Sequence, residues 1–251
     1  MLIDGESCVG CGSCVPYCPV EAIVLHEGHR NKKQKTYAYI NPDDCVECSV
    51  CVRASVCPTD AIEEQELEWP RILRKAFSDP LYVHQGTDVP GRGTEEMKTN
   101  DVTGRYADGW IGIGMEFGRP GIGTRFRDVD KATRKLTELG VVLEPLNPMT
   151  QLIENEKTGE LKSEILDEKV LSAIVECVIP ADRITTVLTE ILRLSDKIET
   201  VFSLDLICKV GPDGHIPLLQ ELNLSGLGCS INGKVNLGLG RPVFAGEPKK
   251  E

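Results

Sequence analysis

No stretch of the 251 residues stays apolar for the roughly 20 positions that a membrane-spanning helix needs. Insertion into a bilayer is therefore not expected. The N-terminal residues Met1 to Cys8 show neither the basic region nor the apolar region of a secretory signal, so a soluble, cytoplasmic protein is the expectation. Positive charge is scarce as well. Lys and Arg total 28 against 39 Asp and Glu, giving a formal net charge of −11, which argues against nucleic acid as a partner. No Ser-His-Asp nucleophile signature, His-Glu-x-x-His zinc motif or kinase signature occurs. Gly226-Leu227-Gly228-Cys229-Ser230-Ile231 begins like a dinucleotide fingerprint but puts Ile231 where the third glycine belongs.

Cysteine is what the chain has in excess. Eight of its eleven cysteines fall between Cys8 and Cys57, most of them three residues apart. A secreted disulfide scaffold would spread them along a short chain, whereas this clustering points to metal in a reducing compartment. The cluster is also a repeat. Cys8-Val-Gly-Cys11-Gly-Ser-Cys14-Val-Pro-Tyr-Cys18-Pro19 ends in Ala22-Ile23, and Cys45-Val-Glu-Cys48-Ser-Val-Cys51 with Cys57-Pro58 ends in Ala61-Ile62. A short apolar pair precedes each copy, Leu2-Ile3 and Tyr39-Ile40. Two halves too small to fold alone are expected to make one pseudo-symmetric unit around metal. Three thiolates at this spacing can surround one cubane, with small residues such as Gly10, Gly12 and Ser13 letting the backbone turn N–H groups inward. A fourth ligand must come from elsewhere, because the local loop cannot wrap the cubane.

The run over residues 8–19 matches the Cys-x2-Cys-x2-Cys-x3-Cys-Pro pattern of two-cluster ferredoxins. Residues 1–65 thus resemble a bacterial two-[4Fe–4S] ferredoxin. The resemblance implies cluster one on Cys8, Cys11, Cys14 and Cys57, and cluster two on Cys45, Cys48, Cys51 and Cys18. Two departures are visible. Five residues rather than three precede Cys57, and the segment after Ile23 is longer and more basic than a minimal ferredoxin requires. Two structural zinc sites are the competing reading, since zinc also favours Cys-x2-Cys pairs, but zinc needs neither the third evenly spaced Cys nor the Cys-Pro.

Between the copies, Ile23 to Ile40 reads as a hairpin whose polar tip carries His26, His29, Arg30, Lys32, Lys33 and Lys35. This basic tip is either a solvated turn or a docking patch. Residues 66–110 read as a linker and long loop, with a helix around Ile72-Leu73. Residues 111–222 read as an α/β domain: a strand at 111–117, a helix at 128–139 capped by Asp128 and stopped by Gly140, and a strand at 141–146. A strand at 171–179, a helix through Ile184, Val187, Leu188 and Ile191, a strand at 202–208 and a returning strand at 216–222 complete it. These are two β-α-β patterns in series, of the split-βαβ or ferredoxin-like plait type, so the whole chain is expected to be α+β. Residues 223–251 read as an extended Gly-rich arm.

Arg92, Arg105, Arg119 and Arg125 lie in Gly-rich stretches and are candidate contacts for an anion or a partner, although loops packed on the clusters explain them equally. Cys177 and Cys208 read as buried thiols. The expected function is low-potential electron transfer as the iron–sulfur subunit of a larger oxidoreductase of anaerobic type, with catalysis left to the partner. Its partners would be that catalytic subunit and a redox donor protein, in a hetero-oligomer. The alternatives are a redox-linked ligand-binding or regulatory protein, and a stand-alone reductase whose arginines hold an anionic substrate.

Overall fold

The computed structural model describes residues 1–28, 36–85, 88, 90, 105–118 and 121–227, and at Pro217 the backbone alone. The hairpin tip from His29 to Lys35, Arg92, Arg119, Cys229 and the arm beyond residue 227 lie outside the described residues.

The N-terminal unit is built by crossing the two copies of the repeat. Strand β1 (Leu2–Ile3) precedes the first cysteine run, and β2 (Ile23–Glu27) follows it. Strand β3 (Thr36–Ile40) precedes the second run, helix α1 (Val50–Arg53) begins within it, and β4 (Ile62–Glu63) follows it. β1 pairs with β4, Ile3 opposite Ile62, and β2 pairs with β3, Ile23 opposite Ile40; both pairs are antiparallel. The apolar pair before each run is thus joined to the strand that ends the other run. Ile3, Ala22, Ile23, Ala38, Ile40, Val46 and Ala61 are buried together with Cys8, Cys14, Cys45, Cys48 and Cys51 in one small core.

The second core is larger. Helix α2 (Ile72–Ala76) leads to β5 (Trp110–Phe117) and β6 (Thr124–Arg125), then to α3 (Phe126–Glu138). β7 (Val142–Leu143), β8 (Ile153–Asn155), β9 (Glu160–Leu161) and β10 (Lys169–Val170) come next. β11 (Ala173–Pro180), α4 (Ile184–Ser195), β12 (Phe202–Ile207) and α5 (Pro217–Leu224) complete the order. Four strands form an antiparallel sheet in the order β12-β5-β11-β7. Each β-α-β run therefore has its two strands separated by one strand of the other run. Ile113, Met115 and Phe117 alternate along β5 toward the same core as Val175, Cys177 and Ile179 of β11. Phe126, Val129, Ala132 and Leu136 of α3, and Ile184, Val187, Leu188 and Ile191 of α4, cover that face at helical spacing. Each of these fully buried aliphatic side chains contributes about 1.5–3 kcal/mol relative to exposure.

Four expectations change. Helix α3 begins at Phe126, so Asp128 lies in its first turn and is no cap. Its buried carboxylate accepts from Lys131 Nζ at 2.8 Å and from the Glu199 N–H at 3.2 Å. The helix reaches back because Phe126 anchors it edge-on against Phe77, with centroids 5.4 Å apart. The strand expected at 141–146 stops at Leu143, where the chain turns over Glu144 to Asn147. Residues 217–224 form a helix rather than a returning strand, since Leu218 and Leu222, four apart, are the two that enter the core. Leu227 also packs there, which shortens the expected arm from its N-terminal side.

The linker is not passive. Leu73, Ala76 and Phe77 belong to the larger core, while Arg71 and Arg74 reach into the ferredoxin-like unit. Lys169 Nζ meets Asp44 at 3.0 Å, Arg125 Nη2 donates to the Asp43 carbonyl at 3.4 Å, and the Leu171 N–H donates to Ser78 Oγ at 2.8 Å. The two cores are thereby joined on the side of the second cysteine run.

Candidate metal centre

Left-handed backbone shapes both cysteine runs. In the first run Gly10 has φ +69° and Gly12 has φ +73°; at the matching places of the second run Glu47 has φ +57° and Ser49 has φ +56°. The correspondence extends past Cys-Pro, where Glu21 has φ +55° and Asp60 has φ +52°. Each non-glycine residue in this region costs roughly 1–2 kcal/mol, so the repeat imposes the conformation rather than the local residue choosing it. Glu47 is kept there by its buried carboxylate, which accepts from Arg71 Nε at 3.0 Å and Nη2 at 2.5 Å and also faces the Met1 ammonium.

The strand crossing creates two voids. One is lined by Cys8, Cys11, Cys14 and Cys57. The other is lined by Cys18, Cys45, Cys48 and Cys51. Among the described residues, no three or more His, Cys, Asp or Glu side chains gather so as to hold a single metal ion. The thiols line the two spaces in sets of four, which fits a polynuclear cubane in each.

Electrostatics inside the two voids differ. Burial, followed by the neighbouring Cys48, Cys45 and Cys18 charges, pushes the Cys51 thiol up to about 12. Burial likewise raises Cys45 and Cys48. In the first void burial raises Cys14, but Cys11 is lowered by the Ser13 hydroxyl and N–H. Burial opposes the lowering at Cys57 and is outweighed by the N–H groups of Thr59 and Ala61 and the Thr59 hydroxyl. Thiolates gathered in either set would repel one another, and an iron–sulfur core, when bound, would supply the offsetting positive charge. Backbone donors are already aimed at the sulfurs: the Ala22 N–H lies 3.1 Å from Cys18 Sγ and the Ala61 N–H 3.2 Å from Cys57 Sγ, again matching places in the repeat.

Gly10 gives a direct test of the first void. A Cβ added to it would lie 2.1 Å from the backbone carbonyl oxygen of Thr36, the first residue of β3. Gly10→Ala is therefore expected to displace the first run from the hairpin and to lose one cluster, about four of eight iron atoms per chain. Gly140→Ala, at φ +65° with open space around it, should retain all of them. Iron and acid-labile sulfide analysis reads the difference.

The remaining candidates sort themselves. Arg105 pairs with Glu144 and lies over the Tyr106 ring at 5.3 Å, and Arg125 donates to the Asp167 carbonyl at 2.5 Å. Both arginines are thus engaged in internal contacts. His26 stacks on Tyr37 with centroids 5.4 Å apart. Cys177 is buried, and burial followed by Glu176 pushes its thiol up to about 12; Cys208 is half-buried. Sequence reasoning missed Arg53 and Arg74, whose guanidinium groups bond the carbonyls of Cys48 and Cys45. Nothing local marks them, since their partners are fixed only by the fold.

Comparison with known proteins matches residues 7–66 to the 4Fe-4S dicluster domain. Ferredoxin 7Fe of Hydrogenibacillus schlegelii is 37% identical over 75 residues, covering 28% of this chain and 83% of that protein. The benzylsuccinate synthase activating enzyme of Thauera aromatica is 35% identical over 103 residues, covering 41% of this chain and 30% of the enzyme. One component of the ion-translocating oxidoreductase complex of Hahella chejuensis is 46% identical over 43 residues, covering 17% of this chain and 21% of that component. No solved structure matches. With a four-cysteine void for each of two [4Fe–4S] clusters and this likeness, the chain belongs, through residues 7–66, to the dicluster ferredoxins.

Proposed function

We propose that this protein is the iron–sulfur subunit of a larger oxidoreductase complex, relaying single electrons from a donor protein to a catalytic partner. Cluster one is held by Cys8, Cys11, Cys14 and Cys57, and cluster two by Cys18, Cys45, Cys48 and Cys51. The observation that carries this assignment is the pair of voids, each lined by one of these sets. When bound, the clusters supply one-electron chemistry. The residues of this chain hold them and point N–H groups at their sulfurs. Residues 111–222 are a ferredoxin-like plait, a reading supported by the strand order β12-β5-β11-β7 and the two helices on one face.

The subunit role draws on two observations. Two relatives with matching segments are named as part of a complex and as an activating enzyme, so the same domain occurs there inside larger proteins. The ferredoxin unit is also tied to the second core through Arg74, Lys169 and Arg125, which a freely diffusing carrier would not need. Purification of the native protein under anaerobic conditions tests the role. A stoichiometric partner carrying its own cofactor is expected, together with about eight iron and eight sulfide per chain. A catalytically competent monomer would overturn it.

A further inference from the structure

Arg74 stands where the two cores meet. It is 5% exposed, and its Nη1 donates to three carbonyl oxygens around the second cysteine run: Pro42 at 2.9 Å, Asp43 at 3.2 Å and Cys45 at 2.8 Å. Its Nε binds Glu168, 94 residues away in the second core. The ion pair is therefore a buried dipole with its positive end toward the second void and its negative end toward the larger core. On the same run, Arg53 Nη2 donates to the Cys48 carbonyl at 2.6 Å and its Nη1 meets Asp79 at 2.8 Å, although Arg53 is more exposed. The Arg71–Glu47 pair lies beside the same run.

We infer that Arg74 is a positioning residue that raises the reduction potential of the second cluster and through which the C-terminal core sets that potential. The inference rests on the reading that Cys45, Cys48 and Cys51 hold a cluster. A reduced cluster is one unit more negative than its oxidised form, and a nearby cation stabilises it. Burial makes this cation effective, because salt screens a solvent-excluded charge poorly. The same three hydrogen bonds turn carbonyl oxygens toward the guanidinium. Removing them both takes away the charge and frees carbonyl dipoles to reorient.

Redox titration of the full chain, followed by electron paramagnetic resonance, tests this. The variants are Arg74→Lys, Arg74→Gln and the double change Arg74→Met with Glu168→Met, which leaves no unpaired buried charge. The second cluster is identified as the signal perturbed in Cys48→Ala. Arg74→Gln and the double variant are expected to shift the one-electron equilibrium of that cluster tenfold toward oxidation, about 59 mV downward. The first cluster should not move, and Arg74→Lys, which keeps the charge, should recover most of the shift. Full iron content with an unchanged second potential would reduce Arg74 to a strut and sink the inference. So would an equal shift of both clusters, or loss of the second cluster in all three variants. Failure of the ligand reading is seen separately, in whether Cys18→Ala and Cys57→Ala each perturb the cluster assigned to them.

Discussion

Cys18→Ala is expected to cost the chain the cluster carried by the second cysteine run, and Cys57→Ala the cluster carried by the first. In each case iron falls from about eight to about four per chain. The result runs against sequence proximity, since Cys18 lies four residues from Cys14 and Cys57 six residues from Cys51. The reason is the pairing of β1 with β4 and of β2 with β3. Cys18 precedes β2, whose partner β3 leads into Cys45, and Cys57 precedes β4, whose partner β1 leads into Cys8. Thiolate charge on Cys18 acts on Cys48 and Cys51, and charge on Cys57 acts on Cys11 and Cys14. Spectra of the surviving cluster in each variant decide the matter. Loss of the first-run cluster in Cys18→Ala would mean local ligation and would refute the crossed scheme.

Deleting residues 228–251 is expected to leave both clusters in place and to abolish assembly with the catalytic partner. The cut falls after Leu227 because Leu222 is 2% exposed and Leu227 packs on the same core; a cut at 223 would disturb folding and confuse the outcome. The deleted segment carries Ile231, Val235, Leu237, Leu239, Val243 and Phe244 among glycines, with no period that would build a core of its own. Seated on a partner, each apolar side chain would contribute about 1.5–3 kcal/mol, so losing only two should weaken binding at least about a hundredfold. Affinity is read by co-purification and titration of the partner, and folding by iron content. A truncated chain that assembles and passes electrons at the normal rate would show that these residues carry no interface.

How much of this was legible in the sequence depended on whether chemistry or packing fixed the residue. The eight cysteines were plain because cubane ligation dictates both residue type and spacing. Gly10 and Gly12 were legible as small residues that let the backbone turn inward, but Glu21, Glu47, Ser49 and Asp60 adopt the same left-handed conformation with side chains that give no such signal. The helices α3 and α4 could be read from their apolar stripes. Residues 216–222 could not, because Ile216, Leu218 and Leu222 satisfy a period of two as readily as one of 3.6. Asp128 looked like a cap until Phe126 was seen to extend the buried stripe by a turn. Arg74 was beyond reach, because its role exists only once Cys45 and Glu168 have been brought to its two sides.

The crossed strands also bear on the order in which the chain can be completed. The four thiols of the second set are all made by Cys51, whereas the first set waits for Cys57 and for β4 to pair with β1. A growing chain therefore completes the later run's set of thiols before the earlier one's. The first three thiols to be synthesised belong to the last set to be completed.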